Sequence, residues 1–470
     1  MDESGEQRRI TAGRAARVAP LVGMAGRTAG EAVVASLRNR RHGEKDLIDF
    51  HTRQAERYAA RLGRSRGVLM KAGQMLSVVS LDPAVDAPYR GIYQAAFARL
   101  QDDAPPMPPQ LAIDTITTEL GRSPREVFTE FDPRPMAAAS IGQVHTATLP
   151  DGRRVAVKVQ YPGVAEAIRA DLKNTELLAT FFQLMLTVVP GLKALDVRAM
   201  AAEVADRIGE EIDYYAEAAN QQEYANLYRG HPFIRIPEVI PELSTRRVLT
   251  MDLSGGVRYA AALSAERSLR DAWGEAIFRF VQGNLLGTGL YNADPHPGNF
   301  LFHPDGSVTC LDFGCVKRFD PQVYSRFERL TQAAADQDAE ALNRAAVEGG
   351  FLDLTDVVDH PDALLAFYSW GVQELVRPQP FTYTPEFAAE ILRQGGAGWS
   401  PRGPYWPVLR RLRVDANYVV LTRHLTSLVS VLGGLRATGM WRAIREEYSH
   451  DAAPATRYGE LEAAHRKARQ

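Results

Sequence analysis

The stretch from Tyr291 to Gly314, YNADPHPGNFLFHPDGSVTCLDFG, decides the fold of this 470-residue chain. It contains a D-x-x-x-x-N loop with Asp294 and Asn299, then a short predicted hairpin, then a D-F-G triplet that begins at Asp312. Phosphoryl transfer from a nucleotide needs a carboxylate at the attacking oxygen, and an amide and a second carboxylate that hold metal against the phosphates. The order of these residues favours such a site over a proline-rich surface turn followed by an ordinary strand.

A candidate phosphate-binding lysine lies upstream in a predicted hairpin. Residues 141–149 and 153–161 are rich in β-branched side chains and flank Asp151-Gly152, a strong turn signal. The second segment contains the sequence VAVK, which ends at Lys158. A strand lysine is usually a solvated edge residue, but this one precedes the D-x-x-x-x-N loop and the D-F-G triplet in kinase order. The pattern therefore predicts that Lys158 contacts the nucleotide phosphates.

The predicted loop before this hairpin departs from the kinase rule. Protein kinases place G-x-G-x-x-G over the phosphates, because glycine lets backbone amides approach closely. Here the loop reads Ala137, Ala138, Ala139 and Ser140, with Gly142 beyond it. Because Cβ atoms restrict such a loop and leave less room near the phosphates, we expect altered nucleotide handling rather than loss of nucleotide binding.

With these motifs the chain resembles the UbiB family of atypical kinases, also called the ADCK family, over about residues 60–435. Its specific marks are the Ala-rich loop, the D-P-H-P-G-N loop, a K-x-G-Q motif at 71–74 and an E-x-D motif at 211–213. Ordinary kinases lack K-x-G-Q, so its presence beside the other three motifs is hard to explain by chance.

The resemblance implies a role for each matching residue, with ATP or ADP and Mg²⁺ as ligands. Lys158 would pair with Glu217 on a helix equivalent to the kinase αC helix. Asp294 would stand at the position of the catalytic base. Asn299 and Asp312 would ligate Mg²⁺. The hinge against the adenine would be formed by Thr250, Met251, Asp252 and Leu253.

The resemblance also implies that an N-terminal extension enters the active site. Lys71 and Gln74 would lie near Glu211 and Asp213, in the space where a peptide substrate would otherwise bind. ATPase or small-molecule kinase activity is therefore favoured over protein kinase activity. Family members often act at lipid-rich membranes in quinone or isoprenoid metabolism, so lipid or isoprenoid molecules are the expected partners.

The acidic residues of this site are predicted to lie on one long helix. The stretch 203–220 is rich in Ala and Glu and reads as helix. Asp213 and Glu217 would then share a face, while Glu211 would lie about 200° around the axis from Asp213. Without the motif match, these acids would be interpreted as an exposed, solvated face.

Two residues of the D-x-x-x-x-N region have predicted structural roles. Family members often carry histidine two residues before the loop aspartate, whereas this chain has Asn292. Asparagine keeps a hydrogen-bonding group but does not titrate, which favours a structural role over proton transfer. His296 lies between two prolines, and a turn constraint is favoured there over catalysis.

The chain after the D-F-G triplet disfavours a peptide substrate. A protein kinase needs an activation segment that ends near A-P-E. Here CVKRFDP, residues 315–321, passes directly into a helical pattern at 324–347 that lacks this motif.

Composition indicates a soluble globular protein, with 45% hydrophobic and 24% charged residues. A formal net charge of −2 gives no nucleic-acid signature. The two cysteines, Cys310 and Cys315, fit neither a disulfide framework nor a zinc site and are predicted to fill packing positions in a reducing cytosol.

No segment reads as a signal peptide or a membrane span. The longest apolar run, 177–192, is shorter than the ~20 residues of a spanning helix, and 418–435 is interrupted by Arg423 and His424. Any membrane contact of this predicted cytoplasmic protein would be peripheral. The Arg-rich first ~60 residues are predicted to be solvated or partly disordered, with membrane docking as the alternative.

We therefore predict an α+β, two-lobed protein-kinase-like fold with an N-terminal helical extension. The extension would span residues 1–110, the small lobe 111–254 and the helical large lobe 255–470, and the tail beyond Ser449 would be mobile. The predicted function is Mg²⁺-dependent ATP hydrolysis or phosphorylation of a small or lipidic molecule in isoprenoid-quinone or lipid metabolism. The alternative is a non-catalytic, nucleotide-dependent switch or scaffold, and conventional protein kinase activity is disfavoured.

Overall fold

The computed structural model describes residues 107–139, 141–172, 209, 212–292, 295–353, 362–398, 406, 411–413 and 427–469. The chain forms two compact units. The first unit comprises Met1–Asp213 with Thr245–Val248, and the second comprises Tyr214–Ser244 with Leu249–Gln470. These units divide the chain differently from the predicted lobes, whose boundaries stay predictions.

The described part of the first unit opens with two helices. Helix α1, Pro109–Leu120, has proline in its first turn, where a missing N–H removes no helical hydrogen bond. Helix α2, Pro124–Val127, begins with a capping box in which Ser123 and Glu126 satisfy each other's backbone N–H groups.

An antiparallel sheet follows, with strands β1 (Glu130–Phe131), β2 (Ala137–Ala139), β3 (Gly142–Thr148) and β4 (Arg154–Gln160). Strand β3 pairs with the other three. The β3–β4 hairpin predicted at Asp151-Gly152 is confirmed, and Gly152 has φ 87°, which glycine adopts without strain. Val155, Val157 and Val159 of β4 are fully buried, and β4 packs against α1. Helix α3, Val164–Leu172, comes next.

The second unit is mainly helical. Helix α4 is Tyr214–Leu227, α5 is Tyr259–Ala262, α6 is Arg267–Gly283, α7 is Pro321–Ala335, α8 is Ala339–Glu348, α9 is Ala363–Tyr368, α10 is Gln373–Val376, α11 is Pro385–Gly398, α12 is Trp441–Ser449 and α13 is Arg457–Arg469. Residues 427–435 are also mostly helical. The shared core of these helices includes Trp273, Phe278, Leu330, Leu432 and Trp441.

Short strands complete the second unit, which also contains most of strand β6, Val248–Asp252. Strands β7 (Leu290–Asn292) and β10 (Val316–Arg318) form one antiparallel pair. Strands β8 (Phe300–Phe302) and β9 (Val308–Cys310) form a hairpin, and β5 (Ile234–Arg235) pairs with β9 in parallel. Strands β11 (Phe381–Thr382) and β12 (Thr438–Gly439) form a third sheet.

The prediction of a mobile C-terminal tail is wrong. Residues Arg457–Arg469 form α13, and Glu462 of this helix accepts from Arg279 Nη1 at 3.2 Å and from the Tyr448 hydroxyl at 2.5 Å. Arg279 lies on α6 and is fully buried, so Glu462 of α13 takes part in a buried ion-pair cluster, while the other charged side chains of this helix are exposed.

No helix in the described part of the chain combines the length and the apolar composition that crossing a membrane requires. The basic N-terminal segment and the apolar run at 177–192 lie outside the described residues.

Candidate nucleotide and metal site

The first unit brings two of the predicted nucleotide-contacting alanines onto the same sheet face as Lys158. Val144 of β3 stands opposite Ala137 of β2 on one side and opposite Lys158 of β4 on the other. Directly opposed residues of an antiparallel pair share a face, so Ala137 and Lys158 lie on one face. Ala139 pairs with Gly142 and lies on that face too, because side chains repeat every two residues.

The Ala-rich segment is a strand rather than the predicted loop. Ala137–Ala139 pairs along its whole length with β3, because a methyl side chain is compatible with extended, paired backbone. Ala138 therefore points to the opposite face, where it pairs with Gln143. Ser140 lies outside the described residues.

Gly142 is the glycine of this hairpin at which close packing leaves no room for a side chain. A Cβ at this position would stand 2.2 Å from the carbonyl oxygen of Val159 on β4. Since no side chain fits there, the start of β3 lies unusually close to the strand that carries Lys158.

The predicted helix over 203–220 is not continuous. Helix α4 begins at Tyr214, as predicted for that part, but Ile212 lies in a turn and Asp213 in irregular backbone before it. The Ile212 carbonyl accepts from the side-chain amide of Gln160 at 3.0 Å, a contact within the first unit that occupies an oxygen a continuous helix would use. Asp213 instead lies 3.8 Å from the Arg246 guanidinium.

Asp213 and Glu217 therefore do not share the face of one helix. Glu217 lies in the first turn of α4 and is 3% exposed. Glu211, Lys71 and Gln74 lie outside the described residues, so the predicted contacts of the extension stay predictions. Lys158 and Glu217 belong to different units, and their predicted pairing also stays a prediction.

In the second unit, α4 is tied to the D-F-G triplet by a side-chain amide. Asn220 Nδ2 donates to the carbonyl oxygen of Phe313 at 3.0 Å. The Phe313 ring is fully buried and packs on Tyr224 of the same helix, with ring centroids 4.8 Å apart. Helix α4 therefore holds Phe313 both through its backbone and through its ring.

A second amide fixes the adjacent residue, Asp312. Asn292 Nδ2 donates to the Asp312 carbonyl oxygen at 2.8 Å, and the Asp312 Oδ1 atom accepts from the Gly314 N–H at 3.0 Å. The first bond fixes the position of the Asp312 backbone, and the second restricts rotation of its carboxylate. The predicted structural role of Asn292 is thus confirmed.

The D-x-x-x-x-N loop ends in a turn that positions Asn299. His296 Nδ1 accepts from the Gly298 N–H at 3.1 Å, and Asn299 N–H donates to the His296 carbonyl at 2.9 Å. The predicted turn role of His296 is therefore confirmed. Asp294 lies outside the described residues, and its catalytic role stays a prediction.

Asn299 and Asp312 stand at the two ends of one hairpin. The β8–β9 hairpin separates them in sequence, and the Leu311 N–H donates to the Asn299 carbonyl at 2.9 Å, which closes its base. Both predicted metal ligands are half-buried.

These donors fit Mg²⁺. An amide oxygen and a carboxylate are hard ligands, and Mg²⁺ is commonly held by one or two side chains together with substrate phosphates and water. Within the described residues, histidine, cysteine, aspartate and glutamate form no group of three suited to a metal. A site with so few protein ligands would need the nucleotide to complete it.

The predicted hinge residues lie along β6 and just beyond it. The Thr250 carbonyl accepts from Ile240 N–H at 2.8 Å, and the Asp252 N–H donates to the Glu238 carbonyl at 2.9 Å. These two groups are already paired within the second unit, so an adenine at this hinge would bind the remaining backbone groups of the four residues.

After the D-F-G triplet the chain turns at once into β10 and α7. Only residues 315–320 separate Gly314 from the first residue of α7, and Asp320 caps that helix by accepting from Gln322 N–H at 2.7 Å. Cys310 and Cys315 are both buried and form no disulfide, and burial raises the pKa of the Cys310 thiol. Their predicted packing role is confirmed.

Sequence reasoning missed Asn220, which connects α4 to Phe313. Its position three residues after Glu217 gave a usable signal, since residues three apart on a helix are neighbours on its surface. An amide there can reach the same region as the predicted ion pair.

A sheet unit with a strand lysine and a mainly helical unit with a D-x-x-x-x-N loop and a D-F-G triplet define a protein-kinase-like fold of mixed helices and strands. The family model of the ABC1 atypical kinase-like domain matches residues 99–346, more than half of the chain. The chain belongs to this family, and the resemblance to the UbiB/ADCK atypical kinases is confirmed.

The chain is similar to several curated kinases. It is 32% identical over 338 residues to the mitochondrial atypical kinase COQ8B of Rattus norvegicus, covering 69% of this chain and 62% of that protein. It is 32% identical over 298 residues to the mitochondrial atypical kinase COQ8 of Saccharomyces cerevisiae, covering 63% of this chain and 57% of that protein. The chain thus spans less than two thirds of these relatives.

Among solved structures, the chain is similar to Rv3197 of Mycobacterium tuberculosis, whose structure is a complex with erythromycin. The TM-score is 0.57 at 26% sequence identity, and the match covers 91% of this chain and 97% of that chain.

Proposed function

We propose that this protein is a Mg²⁺-dependent, ATP-binding atypical kinase or ATPase of the UbiB type. The observation that carries the proposal is the anchoring of Asp312. Its carbonyl accepts from Asn292, its carboxylate accepts from Gly314, and the β8–β9 hairpin connects it to Asn299. Two oxygen donors on one closed hairpin form a preorganised half-site for a metal–triphosphate complex.

In this proposal each remaining site residue has one task. Lys158 neutralises phosphate charge and pairs with Glu217, and Asp294 orients the acceptor oxygen. The shared face of Ala137, Ala139 and Lys158 supports nucleotide contact on that face. Ala138 and Ser140 complete the segment, and Thr250, Met251, Asp252 and Leu253 form the hinge.

When bound, Mg²⁺ would neutralise charge that develops on the phosphates. Asn299 and Asp312 would hold it. Lys71 and Gln74 of the extension would approach Glu211 and Asp213 and restrict access to the acceptor side.

We propose a small or lipidic molecule rather than a peptide as acceptor or regulator. The short link between Gly314 and α7 supports this, because it leaves no room for a peptide-binding activation segment. Similarity to Rv3197, whose solved structure is a complex with the small organic molecule erythromycin, supports it further. Isoprenoid-quinone or lipid metabolism is the proposed setting, in the cytoplasm with peripheral membrane contact and without a nucleic-acid partner.

The test is magnesium-dependent ADP and ATP binding by calorimetry, followed by phosphate release. Asp312→Asn should weaken Mg²⁺-dependent binding at least tenfold, because it removes the charge of a metal ligand. Asp320→Asn is the matched control, since asparagine caps α7 as well as aspartate does and the loss of charge is the same. Equal binding by wild type and both variants would refute the proposal.

A second candidate is a non-catalytic nucleotide switch or scaffold. The Cβ atoms of Ala137 and Ala139 on the Lys158 face favour it, because they restrict the movement a glycine-rich loop makes over the phosphates. Tight nucleotide binding with phosphate release at background, in the presence of lipid and detergent, would support the switch over the kinase.

A further inference from the structure

The C-terminal helix α13 contacts two elements that carry predicted site residues. Tyr458, near its start, reaches the tip of the β8–β9 hairpin. Arg469, at its end, reaches the C-terminal end of α4. All of these elements belong to the second unit.

At the hairpin tip, Tyr458 is bound through both its hydroxyl and its ring. The hydroxyl donates to the Gly306 carbonyl at 3.1 Å, and the ring stacks on Phe233 with centroids 4.2 Å apart. Gly306 has φ 84°, and a Cβ there would lie 2.4 Å from the Tyr458 hydroxyl. The tip is also held by the Trp273 indole, which donates to the His303 carbonyl at 2.8 Å. Helix α13 is therefore in direct contact with the turn at Gly306.

The hairpin transmits this restraint to the predicted metal ligands. Each strand has three residues, so the tip lies roughly 10 Å from Asn299 and Asp312 at about 3.3 Å per residue. The paired strands cannot tilt at the tip without moving the base that Leu311 and Asn299 close.

At its other end, α13 caps α4. The Arg469 guanidinium donates to the Asn226 carbonyl at 2.9 Å and to the Leu227 carbonyl. Carbonyls in the last turn of a helix lack helical partners, and a cation there also offsets the negative end of the helix dipole. The same helix carries Glu217 and holds Phe313 through Asn220.

Helix α13 is itself anchored firmly enough to act as a brace. The buried Arg279 guanidinium contacts Glu447 at 2.8 and 2.9 Å and Glu462 of α13 at 3.2 Å. Gly459 lies against this cluster, where a Cβ would stand 2.6 Å from Glu447 Oε2. The ion pairs hold the middle of α13 while its two ends contact the hairpin and α4.

We propose that α13 is a positioning helix, which keeps the metal-ligand hairpin and α4 in register through Tyr458 and Arg469. The effect of α13 on turnover rests on the proposed function, but its restraint of the hairpin and of α4 does not. Tyr458 and Arg469 are positioning residues and touch no reacting atom. Removal of either contact loosens the element at that end, and nucleotide bound at the hairpin base in turn protects α13, because coupling between two sites is reciprocal.

The test is amide hydrogen exchange of the full chain with and without Mg²⁺ and ADP, alongside calorimetric Mg²⁺ titrations. Without nucleotide, Tyr458→Phe should speed exchange in 300–310 about threefold to tenfold, as expected for loss of one hydrogen bond. Arg469→Gln should do the same in 224–231. Lys467→Gln, an exposed cation on the same turn of α13, is the matched control and should change neither segment.

If the wild type binds nucleotide, Tyr458→Phe and Arg469→Gln should each raise the Mg²⁺ concentration for half-maximal ADP binding by about threefold or more. Helix α13 of the wild type should gain protection from hydrogen exchange when ADP binds. Faster exchange confined to α13 itself would overturn the positioning role, as would an unchanged Mg²⁺ requirement with tight ADP binding. If the wild type binds no nucleotide, the proposed function fails, while the exchange data without nucleotide still decide whether α13 braces the hairpin.

Discussion

The Asn292 side chain offers the sharpest test of how the D-F-G triplet is held. Asn292 ends β7, is 9% exposed, and donates to the Asp312 carbonyl at 2.8 Å. Asn292→Leu keeps a similar volume but removes the donor. The hydrogen bond is partly buried, and a carbonyl left there without its donor costs about 1–3 kcal/mol, because the leucine side chain keeps out the water that could replace the lost bond.

That cost should appear in two measurements. The free energy of unfolding should fall by about 1–3 kcal/mol, a large share of the roughly 5–15 kcal/mol that stabilises a typical domain. Mg²⁺-dependent ADP binding should also weaken, up to about tenfold for each 1.4 kcal/mol that reaches the Asp312 carboxylate. Urea unfolding measures the first quantity and calorimetric Mg²⁺ titration the second.

Asn292→His is the matched rescue variant. A neutral imidazole keeps one N–H donor, so it can restore the bond to the Asp312 carbonyl. We expect it to recover most of the stability and Mg²⁺ affinity that Asn292→Leu loses. The reasoning is refuted if Asn292→Leu matches the wild type in both measurements, or if the histidine variant is as weak as the leucine variant.

Three further predictions follow from other parts of the chain. Ala139→Gly should change the ratio of ATP to ADP affinity by about threefold or more, whereas Ala138→Gly, on the opposite sheet face, should not. Asp294→Asn should abolish most Mg²⁺-dependent phosphate release while leaving ADP binding near wild type, and full turnover would exclude its assigned role. Glu374 is 5% exposed, and burial raises its pKa to about 7. The proton it holds in the folded state stabilises the protein fully below pH 4.5, and this contribution, on the order of 3 kcal/mol, is lost as pH rises through 7. Glu374→Gln should flatten the pH dependence of urea unfolding between pH 5 and 7, and an unchanged slope would contradict that origin.

The sequence predicts the parts of the site that are encoded locally. The β3–β4 hairpin follows from Asp151-Gly152 between β-branched runs, and the His296 turn follows from its flanking prolines. Each of these depends on backbone preferences of a few adjacent residues, so no distant contact is needed to identify it.

The parts that sequence reasoning got wrong depend on contacts between distant residues. The helix over 203–220 has suitable composition, yet Gln160, 52 residues before Ile212, takes the carbonyl a continuous helix would need. The C-terminal tail is charged, yet Arg279, 183 residues before Glu462, gives its glutamate a buried partner. Composition cannot reveal either effect, since each depends on which remote side chain the fold brings near.

The anchoring of the D-F-G triplet also bears on how such a site would be controlled. In a protein kinase, phosphorylation of the activation segment helps set the αC helix and the D-F-G aspartate. Here residues 315–320 are too few for such a segment, and Asp312 and Phe313 are held by the amides of Asn292 and Asn220. These two amides are uncharged, so phosphorylation within residues 315–320 would not form or break an ion pair with them. Control would therefore have to act through elements that touch the hairpin and α4 from outside it, and among the described elements α13 contacts both.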